Sequence, residues 1–427
     1  MLGTENSLRE LVEDKYKSLI KERLELRPLV SYVGNKEVPI LRIFRYKEAF
    51  SFGLVEFLIK KLELGSDDYV FDPFAGMGTT MFSSSFFNIS AIGIDKLPLA
   101  VFVAETLPKF LSLEKEELEQ VWKSIKAGVE YAKPAYVATD VSIMKKAFSE
   151  DILLLLRKIK GKIETLEEPY KSVFLLLLLS ILEECSFVSK DGQFLRIKRD
   201  KRISNPLDAI ERKVRQVKQD LTWLEEFYPS YSRKSYYDVY LADARDMSEV
   251  KFRKKPTAVI TSPPYANRYD YTRTYSLELC FHFVEDFEQL KAIRFGILRS
   301  HIESKVEKNE VPPHPIVQEV IEALSMKKLN NPKIPSMIIG YFVDMKQVIE
   351  NLYNILAPKA QVAMVVDNVR FEGEMIPVDL ILSEIAEEIG FKIKEIIVAR
   401  YKGNSAQQMK KYGKVPVRES ILLWEKV

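Results

Sequence analysis

Apolar positions along this chain recur in two registers, helical and alternating, and the changes between them predict its elements. Phe50, Leu54, Phe57, Leu58 and Leu62 fall at helical spacing, predicting a helix over 46–64. Tyr69-Val70-Phe71 then reads as a short strand running into the glycine loop "DPFAGMGTT", Asp72 to Thr80, and a further helix. A second strand, "AIGID" at 91–95, ends on an acid. Strand, loop, helix, strand opens a doubly wound, mostly parallel α/β sheet. Residues 5–25 read as an exposed charged helix. From 113 to 235 the pattern is helical and poor in strand signals, predicting an inserted helical subdomain. Strands return at 237–243 and 257–260. After a polar excursion over 285–335, the end reads helix 341–356, strand 361–366, helix 376–389, then strands at 391–400 and 419–425.

The chain has 427 residues, 47% of them hydrophobic, which allows one large core with insertions or two to three units. Its net charge of +3 is too mild to imply a partner. Two cysteines, Cys185 and Cys280, fit a reducing compartment and no disulfide framework, and with three scattered histidines no metal site is expected. The start, "MLGTENSLRELVEDKYK", is charged and amphipathic, unlike a secretory signal. The apolar run Val173 to Leu182 is about half of what a bilayer span needs, and Glu183-Glu184 follow it, so a buried helix is expected. A soluble, cytoplasmic protein with no membrane partner is the expectation.

Two stretches carry chemistry. In "DPFAGMGTT", Gly76 and Gly78 let backbone approach a ligand at a strand's carboxyl end, where open α/β sheets bind ligands. A dinucleotide fingerprint needs a glycine where Met81 stands, and a phosphate loop needs a lysine that is absent. Asp95, ending the next strand, can accept from two ribose hydroxyls. Loop and acid together suit a nucleoside-containing cofactor without phosphates; the bland alternative is a tight turn packing a helix on a strand. In "TAVITSPPYANRYDY", 257–271, Pro263-Pro264 end a strand because neither can donate to a ladder. Either the strand merely stops at a stiff turn, or the turn holds Ser262, the Pro263 carbonyl and the Tyr265 ring over a pocket.

With both stretches in this order on strand ends, the chain resembles the S-adenosylmethionine-dependent DNA amino-methyltransferases, which carry a "DPF.GSGTT"-type cofactor loop and a catalytic S/D/N-P-P-Y/F/W turn. The resemblance covers 44–105 and 236–427, and the closing order of strand, helix and two final strands is similar to that family's sheet with its antiparallel edge hairpin. It implies S-adenosylmethionine as cofactor, with Asp72, Pro73, Phe74, Ala75, Gly76, Gly78, Thr79 and Asp95 around it. Lys47 and Phe50 in "FRYKEAFS" are similar to the family's segment leading into that loop, and Asp243 in "LADARDM" resembles the strand-end acid that approaches the adenine. Ser262, Pro263, Pro264 and Tyr265 would be catalytic. The resulting division is an N-terminal extension (1–45), a cofactor-binding half (46–112), the helical insertion (113–235), the catalytic strands (236–284), a variable insertion that could read the target (285–335) and the end of the methyltransferase sheet (336–427).

The resemblance implies a site-specific methyltransferase acting on double-stranded DNA with base flipping, in restriction-modification beside a separately acting cognate endonuclease or in marking host DNA. Serine in the first motif position favours N4 of cytosine; N6 of adenine is the alternative, and an RNA or protein amide target belongs to relatives with aspartate or asparagine there. Methylation at cytosine carbon-5 needs a cysteine nucleophile, usually after proline, but Cys185 follows Glu184 and Cys280 follows Leu279. A reading of another class is a non-catalytic nucleic-acid-binding protein with this fold. Residues 190–218 hold ten Lys/Arg against four acids, a local +6. Lys190, Arg196, Lys198 and Arg199 there, with Arg268 and Arg273 after the catalytic turn, are the expected nucleic-acid contacts.

Overall fold

A computed structural model describes residues 7–191, 194–228, 235–305, 307, 310–403, 411–413 and 415–427. Its centre is an eight-stranded sheet ordered Ile20–Glu22, Phe391–Lys402, Val417–Lys426, Gln361–Asp367, Ala258–Thr261, Tyr69–Asp72, Ser90–Asp95, Tyr237–Leu241. Val417–Lys426 runs antiparallel to both neighbours and all other pairings are parallel. The fold is thus the doubly wound, mostly parallel α/β class with an antiparallel edge element. Tyr69–Asp72 and Ala258–Thr261 are buried on every residue, as strands covered on both faces must be.

One face of the sheet packs against helices Pro315–Ser325, Ile334–Ile355 and Val378–Ile389, and the other receives Phe52–Lys61. A third core holds the helices of the insertion, with Tyr170–Ile181 buried at its centre. Among the described residues no helix is long and apolar enough to cross a membrane.

Three expectations are corrected. The helix over 46–64 begins only at Phe52, because the backbone before it is bonded sideways. Asn35 donates to the Phe50 carbonyl (2.9 Å) and accepts from Phe52 N (2.8 Å), while Ser51 N donates to Leu29 O (3.0 Å). Ser51 then caps the helix, its Oγ accepting from Leu54 N. Residues 46–50 are irregular and turn toward the sheet's carboxyl edge. The N-terminal helix over 5–25 is shorter: Leu8–Tyr16, after which Ile20–Glu22 adds a parallel edge strand to Phe391–Lys402. The 113–235 stretch is mainly helical but also carries an antiparallel pair, Val188–Asp191 with Phe194–Ile197.

Candidate active site

The glycine loop is fixed from beneath by Asp72. Its Oδ1 accepts from Phe74 N (3.0 Å) and Thr261 Oγ1 (2.6 Å), and its Oδ2 from Thr80 Oγ1 (2.6 Å). One carboxylate thereby locks the loop, its helix and the neighbouring Ala258–Thr261 strand together. Burial pushes the Asp72 carboxyl up to about 6, against the hydrogen bonds from Thr261 and Thr80. Gly76 has φ +52°, and a Cβ there would lie 3.4 Å from the Tyr46 ring. Gly78, φ +88°, caps the Thr79–Phe86 helix, and a Cβ on it would sit 2.7 Å from the Ala104 side chain. Gly78 therefore shapes the loop from behind without lining the cavity above it.

That cavity is a cleft open to solvent at the carboxyl ends of the strands, about 850 Å³ with its mouth included. Its walls include Phe50, Asp72, Pro73, Phe74, Ala75, Gly76, Thr79, Asp95 and Asp243, and also Ser262 and Pro264 of the proline turn. The Asp95 carboxylate accepts from Gly76 N (2.9 Å) and Leu97 N (2.8 Å), which orients it. Burial raises its pKa, and those amides oppose the rise. Asp243 is clamped by Arg245 (Nη2 2.7 Å, Nε 3.0 Å), which Asp344 holds in turn (3.1 Å). Burial works to raise the Asp243 pKa, but bonding to Arg245 leaves it below the ordinary aspartate range.

A second cavity of about 880 Å³ opens on the other side of the proline turn. Pro263 and Tyr265 line it, together with Lys47, Arg400, Lys402 and Glu419. Glu48, Ala49, Ser262 and Tyr271 border both cavities. Ser262 Oγ lies 3.2 Å from the Val365 carbonyl and 3.5 Å from Tyr265 OH; donating to the nearer carbonyl leaves its lone pairs to accept. Tyr265 OH donates to Glu419 (2.8 Å), and Lys402 Nζ sits 5.1 Å from the Tyr265 ring centroid. Glu419 is 1% exposed and is paired with Arg400 and with Lys402 (2.9 Å). The turn thus rests on a charged floor built from the two C-terminal strands.

Lys47 faces this second cavity and not the first, with Nζ donating to the Lys190 carbonyl. Lys190 does not belong to a phosphate-binding surface. It is buried, ion-paired with Glu278 and set 4.5 Å from the Tyr275 ring centroid. The basic run hides this residue because its partner lies 88 positions away. Arg196, Lys198 and Arg199 are exposed, Arg199 lying 5.8 Å from the Phe187 ring. Arg268 adopts φ +70° and reaches Asn330 (3.4 Å), and Arg273 pairs with Glu303 (3.2 Å) and Asp270 (3.5 Å).

The sequence reading missed Tyr46, Glu48, Arg400, Lys402 and Glu419. For Tyr46 and Glu48 the available signal is their place on either side of Lys47; Arg400, Lys402 and Glu419 are brought in by the two distant C-terminal strands. Among the described residues no group of three or more His, Cys, Asp or Glu side chains is placed to hold a metal ion.

A mostly parallel sheet with a glycine-loop cavity and a Ser-Pro-Pro-Tyr turn at adjacent strand ends is the arrangement that the methyltransferase resemblance implies. No protein-family model matches the chain. It is 33% identical to the Type II methyltransferase M.BsoBI of Geobacillus stearothermophilus, covering 97% of this chain and 91% of that protein. It is 34% identical to the Type II methyltransferase M.AvaI of Nostoc sp., covering 94% and 89%. Among solved structures, the rRNA methyltransferase aviRa from Streptomyces viridochromogenes aligns over 95% of this chain and 94% of that one, with a TM-score of 0.34 and 13% identity. The chain belongs to the Type II DNA methyltransferases.

S-adenosylmethionine is the cofactor of this class, and the first cavity fits it. Gly76 gives close approach, Asp95 stands where ribose hydroxyls can donate, and Phe50, Phe74 and Leu298 are apolar walls. The charged side chains at its wall are Glu48, Asp72, Asp95, Asp243 and Lys96, a mainly acidic set suited to a cationic sulfonium.

Proposed function

We propose that the protein transfers a methyl group to the exocyclic N4 of cytosine in duplex DNA, with the cofactor in the first cavity and the target base in the second. The observation that carries this reading is Ser262. It borders both cavities and spends its proton on the Val365 carbonyl, so it meets an incoming amino group as an acceptor.

The cytosine amino nitrogen is a weak nucleophile because its lone pair is delocalised into the ring. Ser262 Oγ and the Pro263 carbonyl, accepting from its two hydrogens, favour a more tetrahedral nitrogen and localise that pair. Pro263 and Pro264 keep both acceptors aimed, which is preorganisation in place before the base arrives. Tyr265 supplies a ring face for a base turned out of the helix, since its amino group is unreachable in the stack. Glu419 and Lys402 hold that ring. When bound, S-adenosylmethionine supplies an activated methyl, so the chain needs no covalent nucleophile. Cys185 and Cys280 are fully buried, and burial pushes both thiols up to about 12, which suits packing and not attack.

In this reading Lys47 serves the base side, Asp243 approaches the adenine of the cofactor, and Arg196, Lys198, Arg199, Arg268 and Arg273 contact DNA. A cognate restriction endonuclease acting separately completes the system, and the cytoplasm is its place. Digestion and nucleoside mass analysis of DNA from cells expressing the protein tests the proposal. N4-methylcytosine is expected; N6-methyladenine in its place moves the target to adenine, and unmodified DNA overturns the reading.

A further inference from the structure

The strip between the two cavities carries one carboxylate to which the transfer step above gives no part. Glu48 borders both cavities alongside Ser262, on the irregular segment that turns in before the Phe52–Lys61 helix. The other cavity carboxylates are committed: Asp72 to Thr80 and Thr261, Asp95 to two backbone amides, Asp243 to Arg245, Glu419 to two cations and Tyr265. Glu48 is held instead by tyrosine, its Oε2 accepting from Tyr275 OH at 2.8 Å. Tyr275 is stacked on Tyr46 (centroids 4.9 Å, 10° between planes), so the contact is built from rigid side chains.

Methyl transfer creates a need at this place. The lone pair of the target nitrogen forms the new N–C bond, and the electrons of the sulfur–methyl bond stay on sulfur. The nitrogen then carries one hydrogen too many and a positive charge. A serine hydroxyl and a peptide carbonyl accept hydrogen bonds but are too weakly basic to take that proton.

We propose that Glu48 accepts the proton released by the target amino group as the methyl is transferred. This rests on the amino-methylation reading and adds a general base to it. The carboxylate receives the N–H proton, the methylated base is left neutral, and the carboxyl returns its proton to water when product leaves. Burial raises the Glu48 pKa, opposed by the nearby hydroxyl of Tyr269, the hydrogen bond from Tyr275 and the charges of Lys47 and Lys190; Tyr46 and Tyr271 also face it. A raised carboxyl is a better base when ionised, at the cost of being protonated, and idle, earlier as pH falls.

Glu48→Gln preserves shape and the acceptor for Tyr275 but cannot take a proton. In single-turnover transfer to a cytosine-containing duplex its rate should fall about a hundredfold or more. The acidic limb of the parental pH profile should vanish with it. Binding of S-adenosylhomocysteine and of duplex, measured by calorimetry, should stay within about threefold of parental, as a general-base role leaves both ligands' contacts in place. In the cofactor-free protein, a carboxyl infrared band titrating above the ordinary glutamate range should be absent from the variant. Tyr275→Phe removes a bond that favours the charged carboxylate, so it should move the acidic limb to higher pH. An unchanged rate and limb in Glu48→Gln, or a limb unmoved in Tyr275→Phe, overturns the proposal, as does loss of ligand binding matching the loss of rate. If the parental protein methylates adenine instead, the same comparison on an adenine duplex still decides the role of Glu48, while the cytosine reading alone fails.

Discussion

The two cavities that meet at Ser262 differ in what surrounds them. The first is walled by a glycine loop, by Phe50, Phe74 and Leu298, and by acids at the ends of neighbouring strands. The second carries Lys47, Arg400 and Lys402 beside Tyr265, Tyr269 and Tyr271. An acidic, partly apolar pocket favours a cationic nucleoside, whereas a pocket of cations and aromatic faces favours a base still attached to phosphates. Under the proposed assignment, the reaction falls on the strip between them, through which a methyl group would pass.

The comparison breaks most visibly at the strip itself. Ser262→Ala removes an acceptor but neither pocket, so methyl transfer in a single turnover should slow about a hundredfold or more, with cofactor and duplex affinity nearly kept. Tyr265→Ala should also weaken holding of the extruded base, by about 1–3 kcal/mol for the lost stack. Tyr265→Phe keeps the ring and loses its bond to Glu419 and the longer 3.5 Å contact with Ser262 Oγ, so a smaller loss is expected. Parental rates in both alanine variants would remove the turn from the active site.

Asp95→Ala addresses the first cavity alone. Loss of charge-assisted ribose hydrogen bonds, each about 1.5–3 kcal/mol, should weaken S-adenosylhomocysteine binding in calorimetry while duplex affinity is unchanged. Tight NAD or ATP binding, without S-adenosylmethionine, would contradict the assignment. The smallest effect is expected outside both cavities. Neutralising Arg196, Lys198 and Arg199 together should weaken DNA binding alike on all sequences and flatten its salt dependence by about 0.9 in slope per lost contact. An unchanged slope returns the hairpin to an ordinary solvated surface.

The first cavity was far more legible in the sequence than the second, for a physical reason. Asp72 to Thr80 and Asp95 are local signals: a short apolar run, glycines at fixed offsets, then an acid ending the next strand. Ser262 to Tyr265 is equally local, because two prolines end a strand unambiguously. The second cavity is assembled from afar. Glu419 reaches Tyr265 across 154 positions, and Lys402 reaches Asp367 across 35, so no window of sequence contains the contact. The segment before Phe52 misleads because its apolar spacing is helical while Asn35 and Leu29 capture its backbone. Ile20–Glu22 is too short and too charged to announce a strand; it forms because the Phe391–Lys402 edge offers it bonds, Leu19 O to Ile396 N among them (2.9 Å). Lys190 reads as a DNA contact only because charge counting cannot see Glu278.

A crystal structure of the protein with S-adenosylhomocysteine and a cytosine-containing duplex tests the division of labour most directly. The account predicts the nucleoside in the first cavity with its ribose on Asp95, and an extruded cytosine in the second with its amino group against Ser262 Oγ and the Pro263 carbonyl. A nucleoside lodged among Lys47, Arg400 and Lys402, or a target base that never approaches Ser262, would contradict it.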